Sequence, residues 1–233
     1  MIRLYPVPFR LLTQDQKFKK WQWVEARVEK ARDDHRPESH RIYVDNLVPG
    51  EEISPRQNWW ERLQAIRSLP IYESFEALEA AREKDNISLG LLRPQRLVDL
   101  EIRAERHKEW TREERDKLMR DQAQGNLFQE TSGTLQQLQK MPFSFYYRYE
   151  CDGPAGEQQH LHKIVDWEAC QLFRNLWREH GEDHWQAPFR ARLLEEFSRK
   201  HLLFLMGNMH RYQHQWLIVS LIYPPKRPQQ TLF

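Results

Sequence analysis

The fold is decided in residues 143–166, which read FSFYYRYECDGPAGEQQHLHKIVD. Alternation of aromatic and polar side chains predicts a strand from Phe143 to Cys151, because successive side chains of a strand point to opposite faces. A turn-rich segment, 152–156, follows, and a return strand is predicted over 160–166. This order is typical of a β-hairpin.

Two helices and a second hairpin are predicted after this hairpin. Apolar residues recur at helical spacing over 167–180 and again over 188–199. The apolar runs 202–209 and 216–223 flank a polar turn, which indicates paired strands. The C-terminal half is therefore hairpin, helix, helix, hairpin, and the fold class is α+β.

The N-terminal part is predicted to be rich in strands, with helices following in the centre. Strands are expected over 2–9, 21–28 and 40–47. This opening resembles small β-barrels of the oligonucleotide-binding kind, which bind single strands on a curved sheet. Central helices are expected over 54–68 and over 74–84, and a further strand over 96–103. The first helix is expected to bury a stripe made of Trp59, Trp60, Leu63 and Ile66.

A polar segment rich in Gln, Gly, Ser and Thr provides the boundary between the halves. We expect a strand-rich and then helical region over 1–121, a connector over 122–140, an α+β region over 141–225 and a docking tail over 226–233.

Composition indicates a protein of the cytoplasm. The 233 residues are enough to form a hydrophobic core without disulfides or a structural metal. Only two cysteines occur, Cys151 and Cys170, which is too few for the disulfide framework of a secreted protein. The N-terminus lacks the pattern of a signal peptide, and the longest apolar stretch, 216–223, is far shorter than the ~20 residues of a membrane span. No membrane partner is expected.

Positive charge is concentrated at the N-terminus, although the whole chain carries only +2. Asp15 is the one acidic residue among the first twenty. A basic face of this kind binds phosphates and indicates a nucleic-acid partner. The candidate contact residues are Arg3, Arg10, Lys17, Lys19 and Lys20.

Aromatic residues make up 12% of the chain and allow two interpretations. Beside Lys and Arg they can stack on the bases of single-stranded nucleic acid. Packing in the core is the simpler explanation, above all for the run 143–147.

The last five residues, QQTLF, follow a proline-rich cationic linker. They resemble the bacterial sliding-clamp binding motif, in which Gln, two variable residues, Leu and Phe dock into a pocket on the clamp. The resemblance implies docking by Gln229, Leu232 and Phe233. The same spacing occurs at 124–128, so the pattern also arises from composition, and a terminus folded back on its own core is the alternative.

A carboxylate cluster at the junction of 160–166 with the following helix could support catalysis. His162, Asp166 and Glu168 could hold Mg²⁺ in a nuclease or other hydrolase, while the simpler role of Asp166 is a helix cap. Cys151, His160 and His162 are candidate zinc ligands, but no Cys-x-x-Cys pair accompanies them. Motifs of the common cofactor classes are missing, so no cofactor is predicted apart from Mg²⁺ under the hydrolase alternative.

Several blocks in order, IRLYPVPFR at 2–10, FKKW at 18–21, RPES at 36–39, SLG at 88–90 and DWE at 166–168, resemble an uncharacterised prokaryotic protein family. We attach no activity to that family. The sequence as a whole favours a DNA-associated accessory protein, in replication, repair or anti-phage defence, that binds nucleic acid and docks on the sliding clamp. The alternatives are the metal-dependent hydrolase and a scaffold subunit that binds an operon partner.

Overall fold

The computed structural model describes residues 1–5, 7, 9, 12–107, 109–113, 115–116, 140–153 and 156–226. The chain forms two compact units. The first unit comprises 1–54 with 104–142, and the second comprises 55–103 with 143–233.

The first unit contains a three-stranded sheet. Its strands are β1 (Arg3–Leu4), β2 (Gln22–Lys30) and β3 (Ser39–Glu52). In the order β1-β3-β2, β1 runs parallel to β3 and β2 runs antiparallel to it. The expected strand-rich opening is confirmed, but the described strands form an open sheet and not the barrel that the sequence resembles. A barrel closes only when its first and last strands pair, and here β1 and β2 lie at opposite edges.

The second unit contains a seven-stranded mixed sheet in the order β4-β5-β9-β10-β8-β7-β6. The strands are β4 (Ile71–Tyr72), β5 (Leu89–Leu92), β6 (Arg96–Ala104), β7 (Phe143–Gly153), β8 (Gly156–Ile164), β9 (Leu203–Asn208) and β10 (Trp216–Ile222). The two predicted hairpins are β7-β8 and β9-β10, and β8 and β10 join them as parallel neighbours.

Four helices accompany this sheet in the described part of the second unit. They are α1 (Arg56–Ile66), α2 (Phe75–Asp85), α3 (Trp167–His180) and α4 (Gln186–Arg190), which continues into a π-helical turn, Ala191–Glu196. The predicted α+β class and the C-terminal hairpin-helix-helix-hairpin order are confirmed. None of the helices in the described residues is long and apolar enough to cross a membrane.

The segment 55–103 belongs to the second unit, whereas the sequence predicted one region with the N-terminal strands. Its strand β5 pairs with β9, and β6 lies beside β7, so it belongs to the sheet of the second unit. The connector expected over 122–140 lies outside the described residues except for Lys140.

The aromatic run 143–147 belongs to the core of the second unit. Phe145 contacts Phe173 of α3 and Phe189 of α4, and the buried Tyr147 hydroxyl donates to the Leu193 carbonyl. These helices therefore cover one face of the sheet, because Phe145 and Tyr147 are two residues apart on β7. Core packing explains this run, and base stacking by Phe145 and Tyr147 is excluded by their burial.

The helix α1 does not bury the apolar stripe that the sequence predicts. It contains no buried residue, and Trp60 is 48% exposed. The stripe predicted for this helix is therefore not a core face.

Candidate nucleic-acid interface

The candidate interface begins with a short 3-10 helical turn, Gln14–Gln16, that is fixed to β3. The side-chain oxygen of Gln16 accepts hydrogen bonds from the backbone amide and hydroxyl of Thr13, at 3.3 and 3.2 Å. The amide nitrogen of the same side chain donates to the Val44 carbonyl at 2.9 Å. Gln16 thus closes the turn and anchors it to β3, and Leu12, which precedes the turn, is buried.

Residues 17–20, the lysine turn, follow immediately. Lys17 donates to the side-chain oxygen of Gln14 at 3.4 Å, and Lys19 forms an ion pair with Glu52. The side chains of Lys19 and Glu52 are 72% and 57% exposed. A pair so exposed contributes at most about 1 kcal/mol and is screened by salt, so Lys19 can exchange Glu52 for a phosphate.

The chain reverses after Lys20, and Gln22 fixes the reversal. Trp21 adopts a left-handed conformation with φ 64°, and its carbonyl accepts a hydrogen bond from the Ile53 amide at 2.6 Å. The side-chain oxygen of Gln22 accepts from the Lys19 amide at 2.8 Å, and its nitrogen donates to the Gly50 carbonyl at 2.9 Å. The lysine turn is therefore tied to β3 on both sides, at Val44 before the turn and at Gly50 after it.

Trp23 lies next to this anchored turn and is 61% exposed. A methyl group built on Gly50 would lie 3.3 Å from the Trp23 Cβ, so the glycine allows the close approach of the two strands. Trp23 falls within the strand predicted over 21–28 and is not among the contact residues predicted from the sequence. A glycine in a strand indicates a close approach by another part of the chain, so Gly50 is the sequence feature that points to the neighbouring Trp23.

Arg3 does not join the lysine turn. It lies on β1 opposite Ser39, and its pKa is lowered to about 10 by burial and then by repulsion from Arg36. Burial would raise the pKa of Asp34, but hydrogen bonds from Arg36 and Ser39 outweigh it and hold the pKa well below its usual value. This cluster fastens β1 to the turn 36–39.

Of the other predicted residues, Lys17, Lys19 and Lys20 lie together, and Arg10 lies outside the described residues.

Asp166 acts as the N-cap of α3 and as a tie to β10. One carboxylate oxygen accepts from the Ala169 amide at 2.8 Å, and the other accepts from the Leu221 amide at 3.0 Å. The residue is 2% exposed, whereas Glu168 in the first turn of the helix is exposed. Both oxygens of Asp166 therefore have structural partners.

His162 belongs to a polar cluster beneath α2. Its Nδ1 lies 2.9 Å from the Tyr149 hydroxyl, and its ring contacts that of Phe75. Burial, followed by the nearby His160, lowers the pKa of His162 to about 4, so the ring is neutral at pH 7. His160 Nε2 lies 3.5 Å from a carboxylate oxygen of Glu76, and burial lowers the pKa of His160 as well.

Cys151 was the third candidate zinc ligand. It is buried, and burial above all raises the pKa of its thiol to about 12. Within the described residues, no group of three or more His, Cys, Asp or Glu side chains is arranged to hold a metal ion. The docking residues Gln229, Leu232 and Phe233, and the similar segment 124–128, lie outside the described residues.

These observations define an α+β protein with an anchored basic turn in its first unit and a mixed sheet with capped helices in its second. The chain belongs to the family described as Domain of unknown function (DUF8757), whose model matches residues 72–233. A second model, Domain of unknown function (DUF8758), matches residues 1–68 and contains the lysine turn. No curated protein and no solved structure matches the chain.

Proposed function

We propose that this protein is a DNA-associated accessory protein that binds nucleic acid through the lysine turn and docks on the sliding clamp through its last five residues. The observation that carries the proposal is the fixation of the turn by Gln16 on one side and Gln22 on the other. A fixed backbone reduces the conformational entropy that the turn loses when its lysines bind phosphates.

Charge at the turn supports this proposal. Lys17, Lys19 and Lys20 lie within four residues, and the ion pair of Lys19 is exposed and weak. Lysine ammonium groups bind phosphate oxygens and release condensed counterions, which provides much of the affinity for nucleic acid. The rest of the protein has a nearly balanced charge, so binding is expected to depend on this turn rather than on a general positive field.

The clamp contact rests on the sequence of the tail. An extended tail can insert Leu232 and Phe233 into an apolar pocket while Gln229 makes hydrogen bonds at the rim. In this arrangement the tail recruits the protein to replicating or repaired DNA, and the lysine turn holds the nucleic acid there.

The nucleic-acid contact is tested by a binding titration at low salt with labelled DNA and RNA oligonucleotides. Replacing Lys17, Lys19 and Lys20 with alanine is expected to weaken binding about 10-fold or more. A matched control removes three exposed charges of the second unit, in the variant Lys84→Ala/Arg199→Ala/Arg211→Ala. Equal binding by the wild type and the lysine variant would contradict the proposal.

No observation on the residues that the structure describes favours the hydrolase alternative. Asp166 would have to give up hydrogen bonds to two backbone amides before it could ligate Mg²⁺. Incubation of the protein with single- and double-stranded DNA and RNA in Mg²⁺ or Mn²⁺ tests for cleavage directly.

A further inference from the structure

The exposed indole of Trp23 bears on which kind of nucleic acid the lysine turn binds. Solitary exposed apolar residues are common on protein surfaces and need no explanation. Trp23 is not solitary, because Val48 of the neighbouring strand is 59% exposed and pairs with Glu25, two residues after Trp23. An aromatic ring and an aliphatic side chain thus lie uncovered on the β2-β3 ribbon.

The ribbon is tied to the lysine turn through one side chain. Gln22 joins the Lys19 amide to the Gly50 carbonyl, and Gly50 is the residue that Trp23 approaches. The backbone segments that carry the indole and the three lysines are therefore tied to each other. Lysines that track a phosphate backbone beside an aromatic ring are the arrangement by which proteins bind single strands without sequence preference.

We infer that this surface binds single-stranded nucleic acid, with Trp23 stacking on a base while Lys17, Lys19 and Lys20 contact the adjacent phosphates. The inference rests on the proposed function and specifies its ligand. A duplex keeps its base faces stacked inside the helix, so Trp23 can reach a base face only in a single strand. A protein partner would make no use of three adjacent ammonium groups unless it were itself strongly acidic.

The glycine beside Trp23 fits this role. Gly50 has no side chain that could lie against Trp23, whose Cβ would be 3.3 Å from a methyl group at that position. Arg27 lies over the ring of Tyr43 at 4.9 Å, further along the same ribbon, and forms a second aromatic and cationic pair. Tyr43 also donates its hydroxyl to Glu29, so this second pair is held by its own strand partners.

The experiment compares a single-stranded oligonucleotide with the duplex of the same sequence, for the full-length wild type and for the variants Trp23→Ala, Trp23→Phe and Trp60→Ala. We expect tighter binding of the single strand, a loss of about 5-fold to 100-fold with Trp23→Ala, and partial retention with Trp23→Phe. Trp60 is exposed in the second unit, so Trp60→Ala is the matched control, and this variant should bind as the wild type does. Circular dichroism melts verify that each variant remains folded.

The outcomes separate the inference from the proposed function. Equal affinity for single strand and duplex, unchanged by Trp23→Ala but weakened in the lysine variant, would overturn the stacking role and leave the proposed function in place. Binding of neither ligand by the wild type would overturn both. A loss with Trp23→Ala that is equal for single strand and duplex would also overturn the inference.

Discussion

Asp166 and Leu221, 55 residues apart in the chain, are joined by a hydrogen bond of 3.0 Å from the Leu221 backbone amide to the Asp166 carboxylate. The other carboxylate oxygen caps α3 at Ala169. One buried side chain thus fastens the start of α3 to β10, an interior strand of the sheet. A carboxylate in such a position stabilises the fold, whether or not it has any chemical role.

Replacing Asp166 with alanine should lower the free energy of unfolding by about 2 to 4 kcal/mol, because it removes the cap and leaves the buried Leu221 amide without its acceptor. Urea denaturation followed by circular dichroism measures the change. Glu168→Ala is the matched control, since Glu168 is exposed, and should cost less than about 1 kcal/mol. Similar losses in the two variants would show that the tie to Leu221 is unimportant.

Stability should fall as the pH is lowered from about 6.5 to about 4. The pKa of His162 is lowered to about 4 in the folded protein, so below the ordinary histidine pKa the unfolded chain takes up a proton that the folded chain does not. The full effect is on the order of 3 kcal/mol, and it is complete once the pH drops below the folded pKa.

The variant His162→Gln isolates this contribution. Its amide can still bond to the Tyr149 hydroxyl but does not titrate, so its unfolding free energy should vary less between pH 6.5 and pH 4. The matched control is His214→Gln, at an exposed histidine. Parallel curves for the wild type and His162→Gln across this range would be incompatible with a buried neutral His162.

The glycine at position 90 is required by close packing between β5 and α2. A methyl group there would lie 2.4 Å from the Leu78 Cδ1 and 3.2 Å from the ring of Tyr72. Leu78 is fully buried and has little room to move, so Gly90→Ala should destabilise the protein by about 1 to 3 kcal/mol. At Gly153 the three atoms nearest to the added methyl all belong to the flexible side chain of Gln158, and thermal melts should show a smaller loss for Gly153→Ala.

The tail prediction separates the anchoring residues of QQTLF from its variable ones. Leu232→Ala/Phe233→Ala should weaken binding to a purified bacterial sliding clamp by at least about 30-fold, which corresponds to roughly 2 kcal/mol for the loss of apolar anchors. Gln230→Ala/Thr231→Ala changes the two variable positions and should bind as the wild type does. Surface plasmon resonance gives both constants, and equal weakening by the two variants would argue against the motif.

The elements that could be predicted from the sequence are those with strong local signals. The hairpin of β7 and β8 follows from alternation around a turn-rich segment, and α3 follows from apolar spacing after the cap Asp166. Partners distant in the chain could not be predicted, since local periodicity carries no information about them. The parallel pairing of β8 with β10 and that of β1 with β3 are examples.

The candidate interface was predictable only in part, for the same reason. Counting charges along the chain grouped Arg3 with the lysines, whereas the fold pairs it with the cluster of Asp34 and Arg36, about thirty residues later. The exposure of Trp23 was equally hidden, because an aromatic residue in a strand has the same local pattern on a core face and on an open one.

The salt dependence of nucleic-acid binding is the sharpest test of phosphate contact by the lysine turn. The slope of the logarithm of the binding constant against the logarithm of the salt concentration should be shallower by about 2 in the variant lacking Lys17, Lys19 and Lys20, since each single-strand phosphate contact contributes about 0.7. The control variant lacking Lys84, Arg199 and Arg211 should keep the slope of the wild type. Identical slopes for the wild type and the lysine variant, or no binding by the wild type at low salt, would show that the lysine turn does not hold nucleic acid through its phosphates.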